Sequence, residues 1–158
     1  MSMSLAQQLA AESIAAVAKG RNLQDVLAAI RAAHPELTAQ ELGALQDIAY
    51  GCQRYLGSLK YMLAQMLKKP IGNPQLESLL LAAMYQLHYT RNAPHAVVNE
   101  AVESIAKIGR KQFRSFANAI LRRFLRVTAV STEVLLLLQS SWRKGAPTGS
   151  CQLEKAFL

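Results

Sequence analysis

The segment from Gln75 to Tyr89 is the strongest constraint on the fold, because between Leu79 and Leu87 it is apolar on almost every side of a helix. A helix of that kind is normally buried against neighbours over most of its surface. The chain must therefore supply several other helices to enclose it. We predict that this helix is the central element of a helical bundle.

The neighbouring segments carry the signals that begin and end helices. Asn22 is a candidate N-cap, and Thr38 with Glu41 has the spacing of a capping box. Gly20 and Gly109 stand where helices should end. No segment shows the alternation that is typical of a strand. We therefore predict an all-α protein of six to seven helices: three in the first fifty residues, then helices at about 56–67, 75–89, 95–108 and 111–126.

A turn around residues 70–74 divides the chain. Lys68-Lys69-Pro70 closes one helix, and Gly72-Asn73-Pro74 follows it. This boundary predicts two small helical bundles packed together, with subdomains at about 1–70 and 74–126. The composition changes after that point. We predict that residues 127–158 form a poorly structured tail, which a truncated or frameshifted reading frame would explain.

The excess positive charge lies in one short stretch of the sequence. The formal net charge of +8 indicates a polyanionic partner, such as RNA, DNA or an anionic membrane. Residues 107–126 contain seven basic side chains and no acidic one. Like charges stacked along a helix repel each other, so a sequence that keeps them gains stability from a partner.

The same stretch has two chemically different faces when it is drawn as a helix. One broad apolar face, which should turn toward the core, contains Phe113, Phe116, Ala117, Ile120, Leu121, Phe124 and Leu125. The cations follow the opposite side. Arginine suits phosphate because its planar guanidinium donates two parallel hydrogen bonds. We predict an RNA-binding site formed by Lys107, Arg110, Lys111, Arg114, Asn118, Arg122, Arg123 and Arg126.

Two members of this predicted site have alternative explanations. Arg123 lies near the apolar edge of the helix, where it could pair with Glu100 or Glu103. Asn118 could contact RNA or hydrogen-bond a buried backbone group, and the sequence favours neither.

Other functional classes have weaker support. A basic amphipathic helix can lie on a membrane, but here its phenylalanines are needed for the core of a small domain. His88 and His95 flank one loop, where a hydrogen bond explains them better than a metal site. No glycine-rich phosphate loop or nucleophile motif is present, so we expect neither enzymatic activity nor a cofactor in this chain. Without a signal peptide or a long apolar span, the expected location is cytoplasmic.

Two stretches of the sequence resemble the NusB-like RNA-binding domain: residues 76–107 and residues 113–126. The resemblance is looser over 4–70, where only the order and lengths of the helices agree. Its signature elements are Tyr85-Gln86-Leu87, the Pro94 loop, Val98-Asn99-Glu100-Ala101-Val102-Glu103 and Asn118-Ala119-Ile120-Leu121-Arg122.

The resemblance implies an all-α RNA-binding domain and leaves two functions open. Such domains occur as free transcription antitermination factors and as the N-terminal domain of ribosomal RNA cytosine-5 methyltransferases. This chain is more similar to the second group. Residues 1–18 contain no Lys or Arg, whereas the free factor opens with an arginine-rich stretch. Arg122 also stands where the free factor has an aspartate.

For the methyltransferase group, the resemblance implies a domain that helps to hold ribosomal RNA for a separate catalytic domain. That catalytic domain uses S-adenosylmethionine and two cysteines, and its motifs are missing from this sequence. The chain is therefore expected to be a fragment, a truncated product or a stand-alone domain. A role as an antitermination factor that binds RNA and protein partners is the alternative.

Overall fold

The computed structural model describes residues 3–143. Within that range the chain forms seven α-helices and one short 3₁₀ helix, and no strand, which confirms the all-α prediction. The α-helices are α1 (Met3–Ala18), α2 (Leu23–Ala33), α3 (Ala39–Arg54), α4 (Leu56–Met66), α5 (Pro74–Tyr89), α6 (Pro94–Lys107) and α7 (Arg114–Arg143), and the 3₁₀ helix is Lys111–Phe113.

The helix starts follow the capping signals of the sequence. The side chain of Asn22 accepts hydrogen bonds from the backbone N–H groups at the start of α2. At the start of α3, Thr38 and Glu41 form the predicted capping box: the Glu41 N–H donates to Thr38 Oγ1 at 3.2 Å, and the Thr38 N–H donates to Glu41 Oε2 at 2.9 Å. These caps satisfy N–H groups that have no partner inside the helix.

Two glycines end helices in the left-handed conformation. Gly20 has a φ of 96° and Gly109 a φ of 78°, values that a side chain at Cβ would oppose. The N–H of the residue after each glycine donates a hydrogen bond to a carbonyl oxygen of the preceding helix. Arg21 donates to Ala16 at 3.2 Å, and Arg110 donates to Ile105 at 3.0 Å. Both ends therefore form the Schellman motif.

The predicted position of α5 at the centre is confirmed. Its residues are buried without a break from Ser78 to Gln86. α1 packs on α3, α5 and α6, while α7 packs on α6, α5 and α4. One continuous hydrophobic cluster includes side chains from every α-helix. This cluster contains side chains from both sides of residues 70–74. The division into two subdomains near that turn stays a prediction.

The last helix differs from its prediction at both ends. It was expected at 111–126, but α7 begins at Arg114 and continues to Arg143. Residues 127–143 are thus helical rather than poorly structured. The reason is that no Gly or Pro lies between Gly109 and Gly145, so nothing in the sequence interrupts the helical hydrogen bonds. Residues 144–158 of the predicted tail lie outside the described residues.

Candidate nucleic-acid interface

The basic stretch from Lys107 to Arg126 is divided among three elements, not carried on one helix. Lys107 is in the last turn of α6, and Arg110 precedes the 3₁₀ helix. The chain turns sharply between them at Gly109. Arg110 and Lys111 therefore lie before α7, and the cations that share the outer face of one helix begin at Arg114.

The inner face of α7 is largely as predicted. Ala117, Ile120, Leu121 and Phe124 are buried, and Phe113 is partly buried against the same cluster. Removing a phenylalanine-sized apolar surface from water stabilises the fold by roughly 1.5–3 kcal/mol. α7 is thus held to the core along one side, and its opposite side remains in solvent.

Phe116 is an exception, because it was predicted to face the core and is 37% exposed. Successive helical residues turn by about 100°, so Phe116 points about 80° away from Phe124 and falls at the edge of the apolar face. It lies instead over an open cavity of about 440 Å³ beside the end of α4. That cavity is also lined by Met66, Leu67, Lys68 and Lys69.

Lys68 and Lys69 are candidate site residues that, from the sequence, were predicted only to close a helix. The fold brings them next to Phe116 although they are far from it in sequence. The signal that could have found them was the pair of adjacent lysines itself. Their position beside α7 could not be read from the sequence, because it depends on how α4 packs against α7.

The outer face of α7 presents the predicted arginines to solvent. Arg114, Arg122, Arg123 and Arg126 are all exposed. Lys107 and Lys111 are exposed too, whereas Arg110 is half-buried. A surface made of guanidinium groups can donate paired hydrogen bonds to successive phosphates.

Asn118 is half-buried and contacts the side chain of Arg122, while its contact with RNA stays a prediction. Its Oδ1 accepts a hydrogen bond from Nε of Arg122, one turn along α7, at 3.1 Å. This contact restrains the orientation of the guanidinium. It uses only one of the five N–H donors, so the others stay available for an anion.

Among the side chains that the structure describes, no carboxylate pairs with Arg114, Arg122, Arg123 or Arg126 of α7. The ion pair found among them is His34–Glu36, at 2.8 Å, far from α7 in sequence. The predicted alternative for Arg123, a pair with Glu100 or Glu103, is not formed. The pKa of Glu100 is raised, first by burial and then by the negative charge of Glu103. A paired arginine would lower that pKa instead.

Lys107 has a different environment from the α7 arginines. Its Nζ donates a hydrogen bond to Ser4 Oγ at 3.2 Å, which links α6 to α1. This lysine therefore joins two helices, in addition to any contact that it makes with a ligand.

The histidine loop shows no metal geometry. The ring of His88 contacts Tyr89 and Phe124 edge-on, at centroid distances of 4.6 and 5.9 Å. Burial lowers the pKa of His88, which favours the neutral ring. No group of three or more potential metal ligands occurs in the described part of the chain. His88 serves as a packing residue between α5 and α7.

Residues 4–126 match the model of the NusB family. The chain belongs to the NusB family. The match covers α1 to α6 and the first part of α7, including all the predicted RNA-binding residues. The NusB-like resemblance noted in the two sequence stretches is thereby confirmed.

Several curated relatives of this NusB-family chain carry the name ribosomal RNA small subunit methyltransferase B. The protein from Sodalis glossinidius (strain morsitans) is 35% identical over 121 residues, which are 75% of this chain and 27% of the relative. The protein from Pectobacterium carotovorum subsp. carotovorum (strain PC1) is 34% identical over 119 residues, 72% of this chain and 28% of the relative. This NusB-family chain thus aligns with little more than a quarter of the length of these relatives.

Two observations bear on the membrane alternative. Within residues 3–143, no helix combines the length and the apolarity that crossing a membrane requires. The large phenylalanine at the middle of α7, Phe124, is 2% exposed and packs in the core. It is therefore not free to enter a lipid surface.

Proposed function

We propose that this chain binds ribosomal RNA through the outer face of α7, as the RNA-holding domain of a small-subunit ribosomal RNA methyltransferase. The observation that carries the proposal is the row of exposed arginines at 114, 122, 123 and 126 of α7, which no described carboxylate neutralises. Membership of the NusB family supports RNA as the partner. The names of the relatives favour the methyltransferase over the antitermination alternative.

Phosphate binding is the physical basis of this activity. Each arginine that meets a phosphate releases condensed counterions, so the affinity falls as salt rises. The bidentate geometry of guanidinium adds directional hydrogen bonds to that charge effect. Arg114, Arg122 and Arg126 are the central contacts, with Lys111 and Arg123 beside them and Arg110 at the edge. Lys68 and Lys69 extend the positive surface past Phe116.

We further propose that this chain does not transfer methyl groups by itself and needs no cofactor to bind RNA. S-adenosylmethionine would supply the methyl group in an attached or associated catalytic domain. The residues described here do not fit that cofactor, because they form helices without a glycine-rich loop after a strand. The partners of the chain are then ribosomal RNA and a methyltransferase catalytic domain. A cytoplasmic location, where ribosomal RNA is made, stays a prediction.

A filter-binding assay with ribosomal RNA fragments across a salt series tests RNA binding. Single-stranded contacts contribute about 0.7 each to the slope of log affinity against log salt. The variant with Arg114, Arg122 and Arg126 all changed to alanine should lose roughly 2 from that slope and bind more weakly.

The matched control removes the same charge elsewhere. Lys19, Arg21 and Arg31 are also exposed and lie around α2, on residues that the proposal does not use. Changing these three to alanine should leave the slope almost unaltered. Equal effects of the two triple variants would show that net charge, not α7, governs binding.

A methyl-transfer assay tests the division of labour. With radiolabelled S-adenosylmethionine and ribosomal RNA, the chain alone should give background counts while it retains RNA on the filter. Methyl transfer above background by the purified chain would contradict the proposal that catalysis belongs to another domain.

A further inference from the structure

A second surface, lined by residues of α3, α5 and the junction before α4, combines aromatic rings with one acid and one base. We call it the tyrosine groove, an open cavity of about 280 Å³. The rings of Tyr55 and Tyr89 stack in parallel with centroids 3.9 Å apart and an angle of 6°. Tyr85 stacks beside Tyr89 at 5.7 Å. The remaining lining residues, all on α3, are Asp47, Tyr50, Gly51 and Arg54.

The groove is built by the spacing of residues on α3. Asp47, Tyr50, Gly51 and Arg54 follow one another at intervals of three, one and three, which places them on one helical face. Gly51 forms the floor, because a Cβ atom there would overlap the ring of Tyr85. The ring can therefore lie against the backbone of α3, where its hydroxyl donates to Asp47 Oδ1 at 3.1 Å.

The charged groups of the groove remain accessible to a ligand. Asp47 and Arg54 are exposed, and neither forms an ion pair in the described part of the chain. The guanidinium of Arg54 lies over the ring of Tyr55 at 5.6 Å. Tyr50 is 46% exposed, so one aromatic ring of the groove is open to solvent. The groove thus offers a flat apolar face, a hydrogen-bond acceptor and a cation.

These features select the chemistry of a ligand. A row of cations alone would fit any phosphate, but the carboxylate of Asp47 repels phosphate and accepts hydrogen bonds. The ligand must therefore bring adjacent donors on a flat ring together with a separate anion. Guanine has two adjacent donors on its Watson–Crick edge, and a carboxylate can accept both. Nucleotide bases also stack on tyrosine rings and on arginine planes.

We propose that the tyrosine groove binds one unpaired guanine nucleotide. Its base stacks on Tyr50, its edge donates to Asp47, and its phosphate meets Arg54. The source of that nucleotide in the cell is single-stranded RNA, and in this respect alone the inference rests on the proposed function. The groove then supplies base selectivity, which the phosphate contacts of α7 cannot supply.

The first test uses short uridine oligonucleotides that differ only in a central G, A, C or U. The native chain should bind the guanine-containing RNA roughly tenfold more tightly than the other three. Asp47→Asn still accepts the bond from Tyr85 but cannot accept both donors of guanine, so it should lose the preference and retain binding of the all-uridine RNA. Asp25→Asn removes the same charge from α2 and should keep the preference.

The outcomes separate the two proposals. Binding of all four RNAs with equal affinity, or a preference that survives in Asp47→Asn, overturns the guanine site and leaves the function of α7 intact. A protein that binds none of the oligonucleotides overturns the function of α7, and the guanine site is then decided by the free nucleotide.

The second test therefore uses guanosine 5′-monophosphate without RNA, followed by NMR of labelled tyrosines. The resonances of Tyr50, Tyr55, Tyr85 and Tyr89 should shift as the nucleotide is added, and adenosine 5′-monophosphate should shift them far less. Tyr61, which is 65% exposed on α4 outside the groove, is the internal control. Shifts confined to Tyr61, equal shifts with both nucleotides, or no shifts would overturn the inference.

Discussion

Gly51 and Tyr85 determine how closely α3 and α5 approach each other. The glycine leaves room for the tyrosine ring, and the ring reaches across to the carboxylate of Asp47. A buried hydroxyl needs such an acceptor, since an unsatisfied one costs about 1–3 kcal/mol. The same contact also fixes the acceptor that we assign to guanine recognition, so packing and binding depend on one hydrogen bond.

The hydrogen bond of Tyr85 should be visible in the dependence of stability on pH. Burial, and after it the bond to Asp47, raises the pKa of Tyr85 from 10.0 to about 12. A pKa that is higher in the folded state means that the contribution to stability is complete below pH 10.0 and is lost as pH rises toward about 12. Tyr85→Phe cannot ionise, so its free energy of unfolding should fall less steeply over that interval.

Urea unfolding of Tyr85→Phe and the native chain at several alkaline pH values measures this difference. Tyr61→Phe, at an exposed position, is the control for the general effect of removing a tyrosine hydroxyl. Parallel curves for all three proteins would mean that Tyr85 has the same pKa in the folded and the unfolded chain.

At the scale of elements, the sequence predicted helix positions well and the limits of α7 poorly. Local signals such as Asn22, or Thr38 with Glu41, act within one turn and were therefore readable. The start of α7 depends on how the chain leaves Gly109, and the exposure of Phe116 depends on the distant end of α4. Such features result from tertiary packing, which the helical period alone does not contain.

The candidate site was predictable to the same degree. The exposed arginines follow from the period of α7, since a helix with one apolar face leaves the other in solvent. The hydrogen bond from Arg122 to Asn118 and the lysines beside Phe116 needed the folded structure. The tyrosine groove was missed entirely, because its rings come from α3, α5 and the junction before α4.

Alanine substitutions of two phenylalanines of α7 should distinguish a residue in the core from a residue at the edge of the apolar face. Phe124 is 2% exposed and Phe116 is 37% exposed. Phe124→Ala removes core contacts and leaves a cavity, so it should lower the free energy of unfolding by about 3–5 kcal/mol. Phe116→Ala should lower it by only about 1–2 kcal/mol, since 37% of that residue already faces water and its removal leaves no sealed cavity. Urea denaturation compares them, and similar losses would place Phe116 in the core.

Over the whole molecule, buried polar groups set how α1 sits against the central helix. Gln7 Nε2 donates to Gln86 Oε1 at 2.6 Å, and both residues are fully buried. Ser4, on the same helix as Gln7, receives the bond from Lys107 of α6. Matching these groups requires one register of α1, whereas apolar contacts alone would tolerate several. The N-terminal helix is thereby tied to the helix that precedes the arginine surface.

The arginine surface of α7 belongs to the same packed domain, so we expect bound RNA to stabilise the whole domain. RNA that binds only the folded chain raises the free energy of unfolding by roughly 2.7 kcal/mol at a concentration one hundred times the Kd. For a domain of this size the thermal midpoint should rise by roughly 5–10 °C. The rise should disappear at high salt, because screening weakens the phosphate contacts.

Calorimetry of the α7 triple-alanine variant should show almost no rise, whereas the variant lacking Lys19, Arg21 and Arg31 should respond like the native chain. A midpoint that rises equally in both variants would mean that RNA stabilises the fold through some other surface.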